Sequence, residues 1–417
     1  MDNPAIAAIL TDMEMDSDIV IVGGGLNGST LALALAQRGI SVTVVDARPR
    51  PARENAAFDG RSYALAMASI RLLRAIGIWD GIADRTQPML EIKVSDGRAG
   101  AGPQSPFALH FDHAELEEGP MGHMCEDRVL RPALLTAMDS APRLTTISGD
   151  AVTAQTVDAT CATLTLASGR VLRTRLIAGS DGRASGTAQR AGIRRTGWNY
   201  GQTALVCAVA HEKPHHGIAH QFFMPPGPLA ILPLPGNVSS TVWSEQTATA
   251  TAFAALSDED FLAVLRPRFG DFLGQISLAG TRYIYPLSLS LATALVAPRV
   301  ALVGDAAHGV HPVAGQGLNA GLRDVAALVQ VLTDARGRGE DFSAPDVLER
   351  YQRWRRFDIA TLAATTDLSN RLFSSDNPLL RAVRGIGMGA VQAAGPMRRA
   401  LMRESAGLTG DLPDLMR

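Results

Sequence analysis

Hydrophobic and polar positions alternate between two rhythms along this chain. Asp18-Ile-Val-Ile-Val22 is a short apolar run that breaks at Gly23-Gly24-Gly25, the pattern of a buried strand ending in a tight turn. Small and apolar residues from Leu26 to Gln37 predict a helix, and Ser41–Val45 is a second apolar run that ends at Asp46. Strand, turn, helix, strand is the order of a βαβ unit. Ser69–Ile76 predicts a further helix stopped by Gly77. Between Leu90 and Gly122 scattered Gly, Pro and His erase helical periodicity, which predicts strands and loops. Asp127–Ser140 returns to a helical pattern, and Thr145–Arg175 to strands joined by turns. Leu172–Ser180 runs into Asp181-Gly182.

The stretch Trp198–Tyr285 is rich in β-branched and aromatic residues broken by Pro and Gly. It predicts a mostly antiparallel sheet, interrupted by one helix at Asp258–Phe269. Val300–Val303 reads as a last short strand, Gly317–Leu332 as a helix, and the chain after Ala344 as helical to near its end. No repeat of 20–50 residues appears. The sheet-like excursions return twice to the strand-turn-helix pattern of the N-terminal βαβ unit, so the domains are expected to interleave.

Composition narrows the class. The chain has 417 residues, 46% hydrophobic and 19% charged, with a net charge of −2. That allows a large core and gives no reason to expect nucleic acid as a partner. Cys125, Cys161 and Cys207 are far apart and odd in number, which argues against a disulfide framework and for a reducing cytoplasm. No basic-then-apolar leader is visible at the start, and no apolar run is long enough to span a bilayer. The expectation is a cytoplasmic protein, soluble or peripheral on the inner membrane.

Gly23-Gly24-Gly25-Leu26-Asn27-Gly28 is G-x-G-x-x-G between a strand and a helix. Gly23 permits the turn, Gly25 lets backbone approach a pyrophosphate, and Gly28 lets helix and strand pack closely. The helix start, with Leu26 and Asn27, then offers free N–H groups to the phosphates. Asp46, at the end of the next strand, can accept from the adenosine ribose hydroxyls. This constellation predicts a bound dinucleotide without choosing between FAD and NAD.

Two later motifs make the choice. Gly304-Asp305-Ala-Ala-His308 follows a strand, and Pro312 and Gly315-Gln316-Gly317-Leu318-Asn319 follow it, with Asp324 closing the run. Asp305 can bind the hydroxyls of a polyol such as a ribityl chain. A Gly-x-Gly turn opening a helix can stabilise negative charge on a reduced flavin. These runs resemble the flavin-binding signature of the class A flavoprotein monooxygenases, the 4-hydroxybenzoate hydroxylase type. Asp181-Gly182 with Ser185 resembles that family's second signature. Arg61 and Arg128 stand where the family places FAD-contacting arginines. The wording from His308 to Asp324, with Arg61–Leu65 and Gly227–Pro233, is similar to the ubiquinone-biosynthesis branch, which acts on polyprenyl phenols.

The resemblance implies an α/β fold: a Rossmann-like FAD-binding domain interleaved with a mostly antiparallel β-sheet substrate domain, plus C-terminal helices. The expected division is 16–95, 125–187 and 286–340 for FAD, 96–124 and 188–285 for substrate, and 341–417 for the helical region. The implied activity is ring hydroxylation of a polyprenyl phenol, with FAD as cofactor, NADPH or NADH as co-substrate and O2 as oxidant. Hydroxylation of a soluble aromatic compound, a non-oxygenating FAD reductase or dehydrogenase, and a non-catalytic flavoprotein subunit are the alternatives. Two departures stand out: Asp46 replaces the usual Glu, and Arg190 lies further from Ser185 than the family pattern has it. No catalytic residue is assigned.

His211, His215, His216 and His220 cluster but lack metal-ligand spacing, so no metal is expected. Arg371–Arg403 holds six arginines against one Asp, interleaved with apolar residues. That pattern fits a helix packed on the body with a solvated face, with a peripheral membrane contact or a quinone-biosynthesis protein complex as the sharper reading.

Overall fold

A computed structural model describes residues 15–54, 60–97, 108–311, 315–374 and 377–417, with backbone alone at 378–383. Pro312 of the expected flavin loop lies outside them. The described strands assemble into sheets of eight, nine and three strands.

Five strands of the first sheet are parallel, in the order Val300–Leu302, Val171–Gly179, Ser17–Val22, Val42–Asp46, Leu144–Ser148. Ser17–Val22, Val42–Asp46 and Val300–Leu302 are nearly all buried, which explains their unbroken apolar runs, while the edge strand Leu144–Ser148 is only half-buried. The helix Leu26–Ala36 packs on this sheet and against the helices Asp127–Ser140 and Gln316–Gly337. Every residue in it except Asn27 is buried, as its small, all-round apolar sequence demands. The antiparallel strands Val152–Val157 and Ala162–Leu166 extend the sheet beside Val171–Gly179.

The nine-stranded sheet is antiparallel apart from one parallel pair, Ile218–Met224 with Glu91–Asp96. Its long strand Arg195–His211 pairs with Val238–Gln246 on one side and Tyr283–Ala292 on the other. Successive residues face opposite ways. Leu205, Cys207 and Val209 pack with Trp243, Phe261, Leu265 and Phe269 on one face, while Ala208 packs with Met89, Met124 and Leu234 on the other. The helix Asp258–Phe269 runs where its pattern predicts. Ser257 caps it by accepting from the Asp260 N–H, and three acids occupy its first turn. Thr247–Ala254 is a second helix on this face. Its Thr-Ala alternation reads as a strand, and packing on the sheet overrides that local preference.

The small sheet joins Ser62–Ala66, Gly122–Glu126 and Gln87–Met89. The helices Pro345–Phe373, Pro378–Ala393 and Gly395–Ser405 follow. Arg384 bonds Asp96 (3.0 Å), Arg398 bonds Glu115 (2.7 Å), and Arg403 meets Glu118. These arginines fasten the C-terminal helices to the Glu91–Asp112 edge of the large sheet and shield that edge.

Candidate functional site

The chain runs from Ser17–Val22 outward to Val42–Asp46 and Leu144–Ser148, then returns to the other flank of the first strand with Val171–Gly179. The crevice between strand ends Val22 and Gly179 is therefore the switch point of the sheet, where ligands of open α/β folds bind. The first and second motifs meet there. Gly23 donates to Val45 O (2.8 Å) and Ser180 to Val22 O (2.8 Å). Gly23 has φ +101°, and a Cβ on it would sit 2.4 Å from Ser180 O. A Cβ on Gly28 would sit 1.9 Å from Gly23 O. A Cβ on Gly25 would meet nothing within 4 Å, because Gly25 opens onto a cleft of about 490 Å³.

Gly23, Gly25, Asp46, Arg48, Ser180 and Asp181 line that cleft. Gly25 is also the N-cap of the Leu26 helix, which has no side-chain cap and no acid in its first turn. Its first N–H groups thus have only a ligand or solvent to bond. That arrangement fits a pyrophosphate. Leu26 itself turns into the core. Asn27 wedges its amide beside Gly304 and Gly321, where a Cβ would come within 2.2 and 2.3 Å of its Nδ2.

Asp46 accepts from the Gly24 N–H (2.8 Å) and the Arg48 N–H (2.8 Å). Behind it lies Arg53, 3% exposed, which donates to Gly24 O (3.2 Å) and Ser148 Oγ (2.7 Å) and lies 3.5 Å from Asp46. Sequence reasoning missed Arg53, since nothing local marks one arginine of this Pro-Arg-rich stretch as buried. Asp181 sits at the cleft but turns its carboxylate to the Ser185 hydroxyl (2.5 Å) and to Thr187 N and Oγ1 (both 2.9 Å). It thereby builds the start of the short helix Gly186–Arg190.

The third motif joins the same end of the fold. Asp305 follows the strand Val300–Leu302 with its side chain 43% exposed and paired to Arg183 (3.1 Å). Arg195 braces the turn from behind, donating to Asp305 O (3.1 Å) and Ala306 O. His308 Nε2 donates to buried Asp324 (2.6 Å), which also accepts from the Gly304 N–H (3.0 Å). Burial pushes the Asp324 carboxyl up, but His308 and Arg355 outweigh it and hold the group below its usual value.

Gly315 is the N-cap of the Gln316 helix, which has no side-chain cap and no acid in its first turn. Gly317 has open space around it, and Leu318 packs on the core. The Asn319 amide accepts from Ala66 N (2.9 Å) and Ser69 Oγ (2.8 Å) and donates to Ala64 O (2.8 Å) and Gly315 O (3.2 Å). All four of its bonding positions are used, so contact with a ligand is left to its backbone.

Arg61 and Arg128 flank the paired ends Ser62 and Glu126 of the small sheet. Arg61 lies 3.3 Å from Asp127, and Arg128 meets Glu126. Asp127 is held below its usual value: burial raises it, and Arg131, Tyr63 and Arg61 outweigh that. His311 is fully buried edge-on to Tyr200, ring centroids 5.2 Å apart, with neither ring nitrogen bonded among the described residues. Burial, aided by Arg183, pushes it down to about 4. Two members of the histidine cluster bond protein oxygens. His211 contacts Lys213 O (2.7 Å) and Ser239 Oγ (3.1 Å), and His215 contacts Leu234 O (2.8 Å).

Comparison with known proteins agrees with this geometry. Residues 16–365 match the FAD binding domain family. The chain is 46% identical over 404 residues to the ubiquinone hydroxylase UbiL of Rhodospirillum rubrum, covering 96% of this chain and 92% of that protein. It is 36% identical over 397 residues to the 3-demethoxyubiquinol 3-hydroxylase of Escherichia coli, covering 94% and 99%. Among solved structures, p-nitrophenol 4-monooxygenase PnpA from Pseudomonas putida DLL-E4 superposes with a TM-score of 0.79 at 20% identity, covering 95% of this chain and 99% of that one. With its glycine turn at the sheet's switch point and its large antiparallel second sheet, the chain belongs to the FAD binding domain family, among the class A flavoprotein monooxygenases.

Proposed function

We propose that this enzyme uses FAD, NAD(P)H and O2 to hydroxylate the aromatic ring of a polyprenyl phenol in ubiquinone biosynthesis. The observation that carries the reading is the near-full-length similarity to proteins named as ubiquinone hydroxylases, on a chain whose cleft fits a dinucleotide. FAD, when bound, supplies the hydride acceptor and the oxygen-activating centre.

The chain's own residues do the rest. Gly25 and the Leu26 helix start receive the pyrophosphate, with Asp46 at the adenosine ribose and Asp305 at the polyol. Asp181 shapes the loop beside them. The Gln316 helix start, at Gly315 and Gly317, directs its positive end at charge developing on the reduced ring. Arg61 and Arg128 add positive charge at the edge of the small sheet. The nine-stranded sheet roofs the substrate and keeps out water that would discharge the activated oxygen.

The proposed division keeps 16–95, 125–187 and 286–340 for FAD, 96–124 and 188–285 for substrate, and the helices 341–417 over the latter. The strands Glu91–Asp96 and Tyr283–Ala292 cross its boundaries, since both belong to the nine-stranded sheet. A prenyl tail partitions into lipid. The proposal therefore includes a substrate encounter at the inner membrane surface or within a quinone-biosynthesis complex. Among the described residues no helix is long and apolar enough to cross a membrane.

The test is deletion of the gene in its host with profiling of quinone intermediates, alongside NAD(P)H oxidation by the purified holoprotein. Accumulation of an under-hydroxylated prenyl phenol, and oxidation stimulated by a short-chain prenyl phenol, are expected. An unchanged quinone pool, with oxidation stimulated only by non-prenylated phenols, would overturn the assignment.

A further inference from the structure

The turn that presents Asp305 is gripped from behind by a helix that carries no cofactor motif. Tyr351 and Arg355 lie one turn apart on the same face of the Pro345–Phe373 helix, and both are buried. The Tyr351 hydroxyl donates to Leu302 O (2.8 Å), at the end of the strand that leads into Gly304. Arg355 Nε donates to Asp324 Oδ1 (2.8 Å), and its Nη1 donates to Asp358 (2.5 Å). Asp358 also meets Arg323 (3.3 Å). The other oxygen of Asp324 receives the Gly304 N–H (3.0 Å) and His308 Nε2 (2.6 Å).

Leu302, Gly304 and His308 bracket Asp305 on both sides. All three are held by this helix, directly or through one carboxylate. Asp324 and Arg355 are 0% and 2% exposed. A charge pair that deep is sensitive to loss of either member, because the survivor has no water to turn to. Besides Arg355, the Asp324 carboxylate bonds the Gly304 N–H and the His308 ring among the described residues.

We propose that Arg355 and Tyr351 are positioning residues for the cofactor, which fix the Gly304–Asp305 turn through Asp324 and Leu302 and so set FAD affinity from the C-terminal helices. The inference rests on Asp305 facing the flavin's polyol, as proposed above. It extends the binding site to a region the sequence motifs leave blank.

The experiment uses the full chain stripped of FAD and measures Kd by quenching of flavin fluorescence, with the visible absorption bands of the rebuilt protein and the thermal midpoint of the apoprotein recorded beside it. Arg355→Met is expected to weaken FAD on the order of tenfold or more at temperatures where the apoprotein is fully folded. Arg355→Lys keeps the charge without the fork and is expected to recover part of that loss. Tyr351→Phe removes one hydrogen bond and is expected to weaken FAD by about threefold to tenfold. Arg355→Met with Asp324→Asn is expected to bind better than the product of the two single losses. If Arg355→Met does not fold, the Lys and Phe variants still decide.

Folded variants that bind FAD with the parental Kd and bands, whatever their thermal midpoints, would overturn the proposal and leave the helix a merely structural brace. Failure of the parental chain itself to bind FAD would instead overturn the reading on which the proposal rests.

Discussion

Gly28→Ala puts two effects of opposite sign against each other. In an open helix, replacing Gly by Ala stabilises by about 0.8–1 kcal/mol, because the chain loses less entropy on folding. At Gly28 the new methyl would lie 1.9 Å from Gly23 O and 3.1 Å from Gly23 C, with Ser180 Oγ at 3.3 Å. The nearest atom is backbone, so no rotamer change relieves the clash; helix and turn must separate by more than about 1 Å to restore ordinary contact. A backbone contact this short sits at or beyond the upper end of the about 1–3 kcal/mol that overpacking costs, so the net effect is a loss of roughly 2 kcal/mol. Because the separation opens the turn that Gly23 and Ser180 close, FAD affinity falls with stability.

Gly387→Ala is the internal control. Gly387 is helical with nothing within 4 Å of a Cβ, so the same substitution is expected to stabilise by up to about 1 kcal/mol. Urea unfolding of the two apoproteins, with FAD titrations alongside, checks both signs. Equal or higher stability of Gly28→Ala would refute the claim that this glycine is required by close approach rather than by chance.

Three further outcomes follow from particular residues. Gly25→Ala points its methyl into open cleft, so apoprotein stability is expected to hold within about 0.5 kcal/mol while FAD Kd rises by an order of magnitude; unchanged Kd by titration would remove the pyrophosphate from this helix start. His311 sits neutral and buried, held down to about 4 against 6.5 when unfolded. Between those values the unfolded chain takes up a proton that the folded chain refuses, so stability falls as pH drops from about 6.5 towards 4, by at most about 3 kcal/mol from this group. Urea unfolding at pH 7 and pH 5 is expected to show His311→Leu losing less stability on acidification than the parent; equal losses would sink the assignment. Arg398→Ala removes a part-buried ion pair with Glu115 and a bond to Gln392 O, and is expected to cost about 1–2 kcal/mol, part of it lost in high salt. A larger, salt-independent loss of thermal midpoint would mean that packing, not charge, holds that helix.

What could be read along the chain was local. Gly23–Gly28 and Asp46 announce their turn and strand end because sterics and a helix start demand those residue types at that spacing. Asp258–Phe269 was legible as a helix, since its cap, acids and closing Gly270 all sit within one segment. What depended on distant partners was not legible. Arg53 looks like a surface arginine until strand Leu144–Ser148 brings Ser148 to it. Asp181 is recognisable as a motif residue, yet its carboxylate is spent on its own loop. The arginines after Phe373 read as a basic face, while the acids that meet them, Asp96, Glu115 and Glu118, lie more than 280 residues earlier. Arg355 is hidden for the same reason: nothing in Arg353–Asp358 tells which arginine turns inward to Asp324.

The central claim, that oxygen from O2 is inserted into a prenylated ring, is tested most directly by turnover under labelled O2. The holoprotein is supplied with NAD(P)H and a short-chain prenyl phenol, and the product is analysed by mass spectrometry. One labelled oxygen atom per hydroxylated product, with one NAD(P)H consumed, is the predicted result. NAD(P)H oxidation with an unlabelled or unhydroxylated ring would contradict the account and leave a flavoprotein reductase in its place.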